Sequence, residues 1–213
     1  VDAHRTSDPV LLTLHAVRVL GFASSGAVAA RSGLATADVE ERLEDLRARG
    51  WTTRSEFAGT GGWSLTDAGR AEDERLLADE LHERGARDVV ADVNERFGPL
   101  NARFLAAVTK WQLRPVGGNA FAPNDHTDFR WDDRVTASLQ SAGRQLGTLE
   151  GELAAVLPRF AGYAGRYDAA MGRVLAGQHR WVDGVGIDSC HIVWIQVHED
   201  LLATLGLERG TIG

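Results

Sequence analysis

Apolar residues recur at steps of three and four over most of the chain, and the breaks fall at glycine, proline and short threonine-rich runs. "SDPVLLTLHAVRVLG" sets Asp8 as a cap before Pro9 and stops at Gly21, which predicts a first helix. "SSGAVAARSGLATADVEERLEDLRARG" predicts a short small-residue helix, a turn around Ser32, Gly33 and Leu34, and a helix capped by Thr36 and ended by Gly50. "WTTRSEF" and "GGWSL" read as two strands joined through "AGTG", whose glycines supply the positive φ that a hairpin tip needs. A further helix follows, capped by Thr66 or Asp67.

Beyond residue 85 the pattern is helical. "ARDVVADVNERFGPLNARFLAAVTKWQ" reads as two helical stretches joined near Gly98 and Pro99, and "LRPVGGNAFAPNDHTDF" as a loop. From Trp131, Val135, Leu139, Ala142, Leu146, Leu149, Leu153 and Val156 mark one face of a long helix ending at Pro158. Gly143, Gly147 and Gly151 share another line of that helix and predict a close helix crossing. Phe160, Tyr163, Tyr167, Met171 and Val174 form the next stripe. A last helix runs from Asp188 or Ser189 to Gly206. The expected fold is therefore mainly α: a helix-turn-helix with a small β-hairpin over 9–84, then a helical bundle over 85–213.

At 213 residues and 44% hydrophobic, the chain is long enough to bury a sizeable core. Its formal charge of −7 argues against coating nucleic acid by basicity alone, and residues 1–84 hold 10 arginines against 15 carboxylates. Cys190 is the single cysteine, so no intrachain disulfide forms. With no secretory pattern and no apolar run of the roughly 18–20 residues that span a bilayer, the expectation is a cytoplasmic protein with no membrane partner.

The segments "SGLATADVEERLEDLRARGW" and "GGWSLTDAGR", in this order and spacing, resemble the winged-helix domain of bacterial transcriptional regulators in the broad MarR and PadR style, over residues 9–84. That resemblance implies DNA as a partner, a small-molecule effector and a homodimer. "WQLRP", "PNDHTDFRWDDRV" and "DSCHIVWIQVHEDLLATLG" are similar to a region attached to pyruvate-phosphate-dikinase-like chains of actinobacteria. The phosphohistidine segment and nucleotide-binding domain of those enzymes are missing here, so phosphotransfer by this chain alone is not expected.

In the helix from Thr36, Val39, Leu43 and Leu46 must face the core, which turns Ala37, Glu41, Glu44, Asp45 and Ala48 outward with Arg42 and Arg47 on the flanks. DNA affinity comes largely from neutralising phosphates, so three outward carboxylates oppose it, although a carboxylate can accept from cytosine N4. The residues expected at DNA are Arg31, Ala37, Glu41, Arg42, Arg47 and Arg54.

The second half concentrates aromatic and ionisable groups: Trp111, Arg114, Asp125, His126, Asp128, Arg130 and Trp131 around the loop, and His191, Trp194 and His198 on the last helix. This mixture of apolar walls and polar anchors suits a small-molecule pocket, with the loop covering the His191/Trp194/His198 face. His191 and His198 lie about 10 Å apart along the helix axis, too far to chelate one ion, so no metal, cofactor or catalytic residue is assigned. Cys190, in the first turn of its helix, is a poor catalytic signature with only a histidine beside it. The leading expectation is a winged-helix transcriptional regulator whose helical domain senses a small molecule or dimerises. The alternatives are an adaptor that does not bind DNA and an enzyme using the His/Asp pocket.

Overall fold

The computed structural model describes residues 7–57, 59–119 and 121–207. Ala58 of the expected hairpin tip, Ala120 of the loop and the end of the chain after residue 207 lie outside the described residues. Among the described residues the protein is mainly helical, with eight α-helices and one two-stranded antiparallel sheet. None of these helices is long and apolar enough to cross a membrane.

The elements in order are α1 (Pro9–Leu20), α2 (Ser25–Ser32), α3 (Thr36–Ala48), β1 (Thr52–Phe57), β2 (Thr60–Leu65), α4 (Asp67–Glu83), α5 (Arg87–Gln112), α6 (Phe129–Val156), α7 (Tyr163–Leu175) and α8 (Cys190–Leu205). Short 3-10 helices occupy Pro158–Phe160 and His179–Trp181. Contacts divide the chain into two units: Val1–Val90 with Val156–Arg159 and Glu199–Gly213, and Ala91–Ala155 with Phe160–His198.

In the first unit the helix ends follow their capping chemistry. Asp8 accepts from the Val10 amide at 2.7 Å, and Thr66 accepts from Gly69 at 3.0 Å, so Thr66 rather than Asp67 caps α4. Thr36 is the first helical residue of α3, not its cap; Ala35 holds the cap position without a side-chain bond. β1 and β2 pair from Thr52↔Leu65 to Phe57↔Thr60, and a further bridge ties Ala23 to Trp63. Ala16, Val17, Val28, Val39, Leu43 and Trp63 form one buried cluster, which fixes α1, α2, α3 and the hairpin against one another. Gly69 is required by closeness: a Cβ there would overlap the Trp51 carbonyl.

In the second unit, Phe97, Leu100, Phe104, Leu139, Leu146, Tyr163, Tyr167 and Trp194 are all buried. α5 and α6 run antiparallel, as three cross-links show: Arg96 to Glu152, Arg103 Nη2 to Gln145 Oε1 at 3.0 Å, and Trp131 Nε1 to the Lys110 carbonyl at 2.7 Å. The expected break near Gly98 and Pro99 does not occur; α5 runs through it. Proline removes one helical hydrogen bond at a cost of about 3 kcal/mol. Burial of Phe97, Leu100, Phe104 and Trp111 on one face, at roughly 1.5–3 kcal/mol for each large side chain, outweighs that loss. The expected close crossing lies at Gly143, where a Cβ would stand 2.7 Å from the Tyr167 ring of α7. Gly147 has ordinary clearance and Gly151 has open space.

Candidate functional site

The outward face of α3 is arranged as its periodicity requires. Val39, Leu43 and Leu46 are buried, and Ala37, Glu41, Glu44, Asp45 and Ala48 are exposed. Glu44 draws the neighbouring cations to itself: Arg47 Nε donates to it at 2.7 Å, and Arg54 Nη1 of β1 lies 3.8 Å away, its guanidinium over the Trp63 ring. Both arginines remain more than half exposed, so these pairs are weak and leave donors free to turn toward a phosphate. Arg42 is half-buried on the flank.

Arg31, expected at DNA, is held inside the first unit instead. Its guanidinium donates twice to the Arg159 carbonyl, at 3.2 and 3.1 Å, and to Asp200 at 3.1 Å. The last helix supplies that carboxylate from 169 positions away, a partner that no local pattern announces.

Asp200 is the centre of a buried ionic network. One of its oxygens accepts from His15 Nε2 at 2.9 Å and from Arg159 Nη1 at 2.5 Å; the other accepts from Arg31. Arg159 also donates to Glu80 at 2.8 Å and to the Thr204 hydroxyl at 2.7 Å. His15 Nδ1 faces Asp73 at 3.3 Å, and Arg18 bridges Asp73, Glu74 and Glu199. Asp73 and Asp200 are fully buried. Charges taken so far from water persist only when paired and hydrogen-bonded, and here cations and carboxylates from α1, α2, α4, the Pro158–Phe160 turn and α8 pair with one another, although Asp73 Oδ1 and Glu80 Oε1 are buried without a hydrogen-bond partner among the described residues.

Burial disfavours a charged His15, but the carboxylates of Asp200 and Asp73 overcome it and hold the imidazole pKa above its ordinary value. Burial likewise opposes the Asp200 carboxylate, and His15, Arg159 and Arg31 pull its pKa far below the usual range. The raised His15 value stabilises the first unit fully below the unfolded imidazole pKa of about 6.5, and that stabilisation is lost as pH rises through the folded value. Denaturant melts taken upward from about pH 6.5 are therefore expected to show stability falling with pH, with His15→Gln removing that slope. A slope of equal size in the variant would place the titration elsewhere.

In the second unit the loop residues divide. Arg114 pairs with Asp125 at 3.0 Å and with Asp128 at 3.6 Å, and bonds from Thr127, with Arg114, lower the Asp125 pKa to about 2. Arg130 faces solvent. His126 adopts φ +57°, the single positive φ outside glycine among the described residues, and donates its amide to Asn124 Oδ1 at 3.2 Å. Its Nδ1 meets Asp132 Oδ2 at 3.0 Å, which fixes the ring. Trp111 and His179 stand 4.5 Å from its ring centre. These rings, with Arg180 and Asp183, border an open cavity of about 300 Å³. Sequence reasoning missed His179, Arg180 and Asp183, which lie just past α7 in a stretch without periodicity.

His191, Trp194 and His198 do not line that cavity. Trp194 is 1% exposed, stacked on Phe104 at 4.1 Å and on Phe97 at 5.2 Å, with its Nε1 donating to Asn101 at 2.9 Å. The His191 ring lies 6.1 Å from Phe104, and burial pulls its pKa down, opposed by Asp183. The His198 ring lies 5.5 Å from Phe97. The cavity at His126 thus takes no residue from the last helix, and Trp194 is not the pocket wall expected from the sequence, because an aromatic layer from α5 occupies its face. Trp131 turns toward α5 rather than toward His126. Cys190 is buried beside Tyr167, and burial pushes its thiol up to about 12, so it is no nucleophile at neutral pH. Among the described residues no group of three or more His, Cys, Asp or Glu side chains is placed to hold a metal ion.

Comparison of the chain with family models, curated proteins and solved structures returns no match.

Proposed function

We propose that the protein is a transcriptional regulator: a winged helix-turn-helix contacts DNA, and a helical bundle in the second unit senses a small molecule or forms a homodimer. The observation that carries this reading is the presentation of α3. It follows the α2 turn, buries Val39, Leu43 and Leu46, and keeps its opposite face in solvent beside the β1–β2 hairpin, which Ala23↔Trp63 ties back to the helices. A helix held this way suits a major groove, and a hairpin beside it suits the flanking backbone. Arg54, Arg47 and Arg42 would supply the phosphate contacts. Glu41, Glu44 and Asp45 would keep non-specific affinity low and leave specificity to base edges. In a homodimer an effector favouring one spacing of the two winged helices would alter operator affinity by population shift.

Arg54→Ala is expected to weaken binding to all DNA sequences alike and to lower the slope of log affinity against log salt by about one. Glu41→Gln with Glu44→Gln should raise affinity for unrelated DNA. Unchanged binding in both would turn α3 and the hairpin away from DNA.

A second reading is favoured by the internal capture of Arg31 and the pairing of Glu44 with Arg47. These leave α3 with a net acidic face, suited to a basic protein partner. In that case the chain is an adaptor, and its DNA affinity stays at background at low salt.

A further inference from the structure

α5 and α6 enclose a groove of about 520 Å³ within the second unit, separate from the cavity at His126. Its volume is that of an ordinary small-molecule site. The groove exists because small side chains face each other there: Ala106 and Ala107 on α5, Ser138, Ser141 and Ala142 on α6. Its floor is apolar, made by Leu100, Phe104 and Val135.

The charge of its wall runs against that of the whole chain. In a protein with 30 carboxylates and 23 basic residues, no carboxylate lines the groove, whereas Arg103, Lys110 and Arg134 do. None of these three makes an ion pair among the described residues. Lys110 and Arg134 belong to one end, because both gather around Trp131: its indole donates to the Lys110 carbonyl, and the Arg134 guanidinium lies 5.6 Å from its ring centre. Arg103 stands two turns away on α5, about 10 Å along the axis, tied to Gln145. The groove is therefore a slot with two unopposed cations at its mouth and hydrocarbon behind them.

We infer that this groove binds a small amphiphilic phosphate monoester, with its dianionic head between Lys110 and Arg134 and its hydrocarbon body along Leu100, Phe104 and Ala142. A phosphate matches the two cations in charge and offers three acceptor oxygens, and a planar guanidinium engages two of them at once. A carboxylate of equal length satisfies half the charge. A neutral alcohol offers the two cations no opposite charge and leaves them to water. Only the ligand's role as an effector depends on the regulator reading; binding does not.

Isothermal titration of the full chain at about pH 7.5 tests this with octyl phosphate, octanoate, octanol and inorganic phosphate. Octyl phosphate is expected to bind once per chain, at least about tenfold more tightly than octanoate, with octanol and inorganic phosphate weaker still. Lys110→Gln and Arg134→Gln, both at exposed positions, should each weaken octyl phosphate about tenfold with unchanged thermal melts. Ala142→Leu, which fills the floor, should abolish binding. Equal affinity for octanoate and octyl phosphate, or indifference to both glutamine variants, would overturn the proposal. So would capture by phosphatidic-acid vesicles without binding of octyl phosphate, which would make the groove a membrane contact. A blank titration with a dimer that Ala106→Glu dissociates would overturn it too, by making the groove an interface between copies. Because no DNA is present, loss of operator binding and loss of ligand binding are read separately.

Discussion

Asp200→Asn is expected to lower the stability of the first unit by about 3–5 kcal/mol, a large part of the 5–15 kcal/mol typical of a domain. The carboxylate is fully buried and accepts from His15, Arg31 and Arg159 together. An amide of the same shape keeps one acceptor, offers a donor to groups that are themselves donors, and leaves the surrounding positive charge without its central counter-charge. A buried charge whose partner is removed keeps the cost of its desolvation, which is why breaking such a pair costs more than the pair is worth. Urea unfolding followed by far-ultraviolet circular dichroism measures the loss, with the slope m checked for a second transition. A shift below about 1 kcal/mol would mean that water reaches these groups.

Trp194→Ala is expected to cost the second unit about 3–5 kcal/mol, the range for deleting a large buried aromatic. Phe97 and Phe104 lose the ring they stack on, and Asn101 loses the donor to its Oδ1. The near-ultraviolet dichroism of the second unit should fall along with its unfolding midpoint. A folded variant of near-native stability would return Trp194 to the role of a pocket wall.

The two residues illustrate what the sequence makes legible. Periodicity and caps place α1, α3, the hairpin, α4, α6 and α8, because each element's signal is local: Asp8 before Pro9, Val39, Leu43 and Leu46 on one face, and Ser189 accepting from the Ile192 amide at 3.3 Å. Pro99 misleads for the same reason, since its local penalty is visible and the compensating burial along α5 is not. The ionic network is the least legible part. His15 and Asp200 stand 185 positions apart, each on a helix whose other residues account for its burial. One signal was present: Asp73 and Glu80 fall on the same stripe of α4 as Leu77, at positions a purely apolar core would fill with leucine. Charged residues at core positions announce buried partners without naming them. The cationic groove is hidden similarly, since Lys110 and Arg134 sit on separate helices and the antiparallel register alone brings them together.

The most direct test is binding of the full chain to DNA from upstream of its own gene, against a scrambled fragment of equal length, across a series of salt concentrations. If α3 and the hairpin read an operator, binding is saturable and prefers the native fragment by about a thousandfold or more, and log affinity falls linearly with log salt. Equal and weak binding to both fragments at the lowest salt would contradict the regulator and assign the acidic face of α3 to a protein partner.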